Sequence, residues 1–389
     1  MGCQRHAGKI LAVIGASEFQ DPLIRRAREL GCTVHAFAWE CGDVGERTAD
    51  VFHPVSTAEK EEVLRICRSI RADGVCTIGS DFNNITATWV ANQLGLPANS
   101  ERCVWLSTNK HAMRKALVAS GDPSPRSIAV RELDDVDALL ADVEYPVIVK
   151  PSDRSGSRGI TKLENPLGLH TALRSAWDKS FEGVALVEGF LEGDEFSVEC
   201  FSWRGNHRVL QVTRKFTTGA PHYIETAHLE PPMLDSATIG RIKDVVLHAL
   251  QTLEVWQGAS HAEIRVNASG EPWIVEIASR MGGDFIGSSL VQISTGIDYV
   301  GAVIDAALGV NPDLEPHALP RAAAVRFVFN QGDAVALENL RTKHPELVVS
   351  SEWQTHEGGE VTNSSERYGW CVMAADTVDE LLPWLPPRD

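Results

Sequence analysis

Along residues 9–100, short unbroken apolar runs alternate with stretches in which apolar positions recur every three or four residues. The runs are "KILAVIGA", "CTVHAFAW" and "VCTIGS"; the amphipathic stretches are "DPLIRRARELG", "EKEEVLRICRSIRADG" and "ITATWVANQLGLP". Apolar strands separated by helices predict a parallel sheet with helices on its faces. The turn after the first run, "GASEFQ", holds one glycine, too few for the close backbone approach that a dinucleotide pyrophosphate needs. "SDFN" at 80–83 follows the third run, at the carboxyl edge of this sheet, where ligands of open α/β sheets sit.

The pattern changes after residue 107. "STNKHAMRKALVASG" predicts a helix from near Thr108 to Gly121, and a proline-punctuated connection follows. "YPVIVKP", "VALVEGFLEG", "EFSVECFSW" and "HRVLQVTRKF" then alternate with a period of two, as antiparallel strands do. "DSATIGRIKDVVLHALQTLEV" reads as a capped amphipathic helix. "SHAEIRV" and "PWIVEIASR" flank the turn "NASGE" as a hairpin. The helical "DYVGAVIDAALG" is followed by the linker-like "VNPDLEPHALP" and a small C-terminal α+β piece.

Length and charge narrow the function classes. A chain of 389 residues exceeds one hydrophobic core and predicts two or three domains. Thirty-six basic against fifty-three acidic side chains give a net charge of −17, which opposes nucleic acid and anionic membranes. "ILAVIGA" is too short for a secretory or membrane segment, and the eight cysteines contain no C-x-x-C pair. A cytoplasmic protein with reduced thiols is expected.

Two local features carry candidate chemistry. In "YPVIVKPSDRSGSRGI", Lys150 leaves a strand directly into a loop of small residues, a composition suited to phosphate. The lysine precedes the glycines, so neither the Walker nor the dinucleotide pattern fits. In the hairpin, Glu263 and Arg265, and likewise Glu276 and Arg280, stand at even spacing and are expected on one face. Two such carboxylates call for a shared divalent ion, unless they only form cross-strand salt bridges.

Lys110, Lys150, the "SDRSGSRG" loop, "VEGFLEGDE" and the Glu263/Glu276 hairpin occur in an order that resembles the ATP-grasp superfamily of carboxylate-amine ligases. Within it the chain looks most like the L-amino acid ligases, through "HYIETAHLEPP" and "VEIASRMGGDFI". The resemblance implies an N-terminal parallel α/β domain over 1–108 and a two-lobed ATP-grasp domain. The small lobe would span 109–190 and the large lobe 191–310, with a C-terminal subdomain over 311–389. It further implies that Lys110 and Lys150 hold ATP phosphates, under a mobile lid of Ser155, Gly156, Ser157, Arg158 and Gly159. Glu188 would accept the adenine amine, Phe190 and Leu191 would line the adenine site, and Glu195 would accept the ribose hydroxyls. Glu263 and Glu276 would hold one or two Mg2+ ions, with Mn2+ as a substitute. The family's further metal-binding asparagine is Ala278 here, which leaves the second ion's coordination open.

Arg280, Glu225 and His228 would be catalytic and substrate-binding, Glu225 pairing with an α-ammonium, and His261 would support them. Gly282, Gly283 and Asp284 would complete the substrate site, Asp284 making it roomier and more acidic. The implied partners are a carboxylate and an amine, expected to be amino acids, joined through an acylphosphate with release of ADP and phosphate. The alternatives are an ATP-grasp ligase or carboxylase acting on bicarbonate or a nucleotide precursor, an adenylating ligase, and a non-catalytic ATP-binding protein. A homodimer is left open.

Overall fold

The computed structural model describes residues 4–154, 159–220, 222–354 and 358–387. The first of three sheets is parallel, in the order β3-β2-β1-β4, built from β1 (Ile10–Ile14), β2 (Thr33–Ala38), β3 (Val51–Pro54) and β4 (Gly74–Cys76). Leu11 through Ile14 are fully buried, so both faces are covered, as the unbroken apolar runs require. The order reverses between β1 and β4, which makes the crevice at their carboxyl ends the topological switch point. Ser80 stands there. Its Oγ accepts from the Asn83 amide at 3.2 Å and caps the helix Asp81–Gln93.

Asn109 joins two helices. It ends Glu101–Thr108 and, by accepting from the Ala112 amide at 3.0 Å, begins Lys110–Ser120. The second sheet is antiparallel, in the order β5-β8-β6-β7: β5 (Ser127–Arg131), β6 (Val147–Pro151), β7 (Thr161–Leu163) and β8 (Val184–Gly189). Leu169, Leu173 and Ala176 of the helix Leu169–Lys179 share a core with Val147, Val149 and Val187.

The third sheet has eight strands: β9 (Asp194–Trp203), β10 (Asn206–Thr217), β11 (Glu225–Glu230), β12 (Gly258–Val266), β13 (Pro272–Ala278), β14 (Ala322–Val328), β15 (Val348–Trp353) and β16 (Gly369–Ala375). Their order is β13-β12-β9-β10-β11-β14-β16-β15. Ile242, Val246 and Leu250 of the helix Ser236–Thr252 pack on Phe196, Val198, Ala262 and Ile264. Each of these fully buried Ile, Val, Leu and Phe side chains stabilises the fold by about 1.5–3 kcal/mol.

The expected separation of 311–389 as a subdomain does not describe the strand pairing. β14 pairs with β11, Ala227 opposite Arg326, so β14–β16 continue the large sheet and satisfy what would otherwise be its open edge. The N-terminal domain is also joined to this sheet. Every residue of the helix Tyr299–Ala307 is buried, and its core includes Leu11, Ala36, Phe201 and Met281.

Candidate active site

The two antiparallel sheets and the β1/β4 crevice enclose a cavity of about 200 Å3. Lys150, at the end of β6, lies diagonally across from Glu188 on β8, and its Nζ is 2.6 Å from Glu188 Oε2. Arg114, one turn along the helix Lys110–Ser120, donates from Nε to Glu188 Oε1 at 2.7 Å. All three are buried. Burial alone would raise the Glu188 carboxyl, but Arg114 and Lys150 outweigh it and hold it down at about 2. Glu188 therefore does not offer a free acceptor to an adenine amine, as expected above. It anchors two cations in the cleft wall.

The hairpin places Glu263 directly opposite Glu276. A bulge follows, because Ile264 pairs with Ile274, and the freed Val275 carbonyl accepts from Arg114. Neither acid pairs with the hairpin arginines. Glu276 Oε1 accepts from Lys110 Nζ at 2.9 Å, and Glu263 Oε1 accepts from Lys215 Nζ at 2.9 Å. Lys110 is 6% exposed, so the pair is shielded from solvent. Arg265 shares the face of Glu263 but reaches Glu195 Oε2 at 3.0 Å. Arg280 lies beyond β13, where Nε and Nη2 grip Asp81 at 2.7 and 3.0 Å. Salt bridges between the hairpin's own acids and arginines are thus absent among the described residues.

Glu195 is held between Arg265 and Lys215, the latter at 2.8 Å. Phe190 and Leu191 line the cavity in the connection between the two antiparallel sheets; the Phe190 amide donates to the Pro146 carbonyl at 3.0 Å. Gly159 has φ +77°, and a Cβ there would stand 2.9 Å from Lys179 Cδ. Ser155, Gly156, Ser157 and Arg158 lie outside the described residues.

Glu225 lines the cavity 3.3 Å from Lys215; burial raises its carboxyl and Lys215 counteracts this only in part. His228 pairs across the strands with Lys215 and lies behind the cavity wall. Burial pushes it down to about 3, so the ring is neutral, and neither nitrogen has a hydrogen-bond partner among the described residues. His261 is set between Glu199, which accepts at Nδ1, and Glu263 Oε1, 3.6 Å from Nε2. Burial opposes its charge, but Glu199 and Glu263 prevail and raise it to about 9.

Two substrate-site expectations are corrected. Asp284 does not give an acidic pocket, because Arg367 binds it through both terminal nitrogens at 2.9 and 2.6 Å. The Gly282 amide is not free, since it donates to Glu199 Oε2 at 3.1 Å. Asp284 and Phe285 both take left-handed φ, +47° and +66°, at this turn. Gly283 adjoins Gly79 of the N-terminal domain.

Among the described residues no group of three or more His, Cys, Asp or Glu is arranged to hold a metal. Glu263 and Glu276 nonetheless fit Mg2+, which takes one or two carboxylates and completes its shell with phosphate oxygens and water.

Residues 143–288 match the family described as ATP-grasp domain. That stretch of the chain is similar to ATP-grasp domains. Over 246 residues the chain is 25% identical to the D-alanine--D-alanine ligase of Cupriavidus taiwanensis, covering 60% of this chain and 73% of that protein. Over 245 residues it is 24% identical to the alanine--anticapsin ligase of Bacillus subtilis, covering 57% of this chain and about half, 51%, of that one. The L-amino acid ligase of Bacillus licheniformis shares the fold with a TM-score of 0.81 and 24% identity, over 97% of this chain and 96% of its own. An N5-carboxyaminoimidazole ribonucleotide synthetase shares it with a TM-score of 0.78 and 16% identity, over 99% and 97% of the two chains.

Sequence reasoning missed three residues of this cleft and its surroundings. Lys215 sits in "VLQVTRKF", where a strand lysine reads as solvated; only the sheet shows three carboxylates converging on it. Asp81 was legible only as part of a carboxyl-edge loop. Arg367, more than 80 positions from Asp284, left no local signal.

Proposed function

We propose that this protein is an ATP-dependent carbon-nitrogen ligase that joins the carboxylate of one amino acid to the amine of another. The observation that carries the reading is the convergence of Lys110, Lys150 and Lys215 on one cleft with the opposed pair Glu263 and Glu276. Lysines suit phosphates as point charges, and paired carboxylates suit the metal that accompanies them. Glu263 and Glu276 would hold Mg2+, which when bound supplies charge neutralisation at the transferring phosphoryl group.

On this reading the substrate carboxylate oxygen attacks the γ-phosphorus of ATP and the bond to the β-phosphate oxygen breaks, leaving an acylphosphate and ADP. A neutral amine then attacks the acyl carbon and expels phosphate. Arg280, held by Asp81, would stabilise the phosphoryl group and then the oxyanion. Glu225 faces the same cavity and suits an α-ammonium, and the backbone around Phe190 and Leu191, with Glu195, suits the nucleoside. The ligase relatives support peptide-bond formation. The fold shared with a carboxyaminoimidazole synthetase supports a second reading, with bicarbonate as the acid.

The deciding experiment incubates the protein with MgATP and pairs of amino acids, measuring phosphate and product mass. Phosphate release only when two particular amino acids are present, with a product of the condensed mass, is expected. Release that depends on bicarbonate instead, or formation of AMP and pyrophosphate, overturns the proposal.

A further inference from the structure

The carboxylates that fit a divalent ion are the ones already occupied by ammonium groups of the same chain. Lys110 Nζ lies 2.9 Å from Glu276 Oε1, and Lys215 Nζ lies 2.9 Å from Glu263 Oε1. The lysine side chains are only 8% and 3% exposed. A divalent ion arriving alone meets a cation at each ligand. To take Glu276 it must separate Lys110 from its one carboxylate partner, and to take Glu263 it must settle beside the Lys215 ammonium, which keeps Glu195 and Glu225; a low-dielectric interior penalises both heavily.

A polyphosphate removes that obstacle, because it offers the lysines new oxygen partners. The converse also holds. A polyphosphate that takes the lysines without a metal leaves Glu276 without its lysine and Glu263 with His261 alone, 3.6 Å away, beside the ligand's own negative charge. As built, the cleft sets six carboxylates against seven lysine and arginine side chains and the charged His261, an excess of two positive charges. A lone dication or a lone triphosphate disturbs this balance more than their complex does.

We infer that Lys110 and Lys215 are resident counter-ions that keep a divalent ion off Glu276 and Glu263 until a nucleotide draws them away, so that metal and nucleotide bind as one unit. This rests on the nucleotide-binding reading of the cleft. It goes beyond that reading in assigning the lysines a second task in the ligand-free protein.

The test titrates Mn2+ into nucleotide-free protein and reads free ion by electron paramagnetic resonance. Lys110→Met and Lys215→Met should each bind Mn2+ at least about tenfold more tightly than wild type, equivalent to about 1.4 kcal/mol of repulsion removed. Lys215→Arg, which keeps the charge, should behave as wild type. Adding Glu276→Gln to Lys110→Met should abolish the gain, and thermal melts identify any variant that fails to fold. In a second arm, fluorescence titration of wild type with ATP should show at least about tenfold weaker binding in EDTA than in Mg2+. Wild type that binds Mn2+ alone as tightly as the folded methionine variants, or ATP equally with and without metal, overturns the inference. If the protein binds no ATP even with Mg2+, the proposed function itself falls, and the Mn2+ arm still decides whether the lysines exclude the ion.

Discussion

Glu188→Gln removes one negative charge from between two buried cations and leaves the shape nearly unchanged. Glu188, Arg114 and Lys150 are 3%, 3% and 5% exposed, so solvent screens them little. The carboxyl falls from its ordinary 4.5 to about 2. At about 1.4 kcal/mol per pH unit this drop is worth about 3 kcal/mol, in the range measured when one partner of a buried pair is removed. Because the folded-state value is depressed, that stability is fully present above pH 4.5 and is lost as pH falls toward 2. Urea denaturation at pH 7 should therefore show Glu188→Gln less stable by about 3 kcal/mol, with the difference shrinking below pH 4.5. Combining it with Lys150→Met, which removes one stranded cation, should recover part of the loss, since the two sites are in contact and not additive. A loss under about 1 kcal/mol, or strict additivity of the two changes, would refute the account of Glu188 as the anchor of both cations.

Three further outcomes follow from the same geometry. Glu230 is fully buried, accepts from Thr213 and Ser294 at 2.6 Å each, and burial raises its carboxyl to about 8. A raised carboxyl binds its proton more tightly in the folded state, so stability should decline as pH rises from 4.5 toward 8; Glu230→Gln should flatten that decline by on the order of 5 kcal/mol in urea titrations, and an unchanged slope would count against it. Asp81→Asn should leave the KM for ATP within about threefold of wild type and lower kcat by about 10- to 100-fold in the phosphate-release assay, because Arg280 loses its aim and not its charge; an unchanged kcat removes Asp81 from the site. Gly282→Ala would place a Cβ 2.5 Å from Glu199 Oε1 and 2.6 Å from His261 Nδ1, and should cost about 1–3 kcal/mol in thermal or urea unfolding, whereas a neutral result would contradict that packing.

Much of the fold was legible in one dimension. Apolar runs mark strands buried on both faces, and the alternation from 145 onward marks antiparallel ones, because burial must follow the period of the backbone. The hairpin was legible but its register was not: regular pairing about "NASGE" sets Glu263 opposite Val275, and the bulge brings it opposite Glu276. That the C-terminal strands pair onto the edge of the large sheet was not legible, since strand partners are chosen by open edges that no local pattern records.

The sequence by itself determined which residues carry charge, which segments form strands, and that Lys150 and the hairpin acids belong to one constellation. Only the tertiary structure decided which charge answers which. Glu188 reads as an acceptor until Arg114 and Lys150 close on it, Asp284 as an acidic wall until Arg367 neutralises it, and Lys215 as a solvated lysine until three carboxylates surround it. Coulomb interaction depends on distance through space and on local dielectric, and neither is a function of separation along the chain.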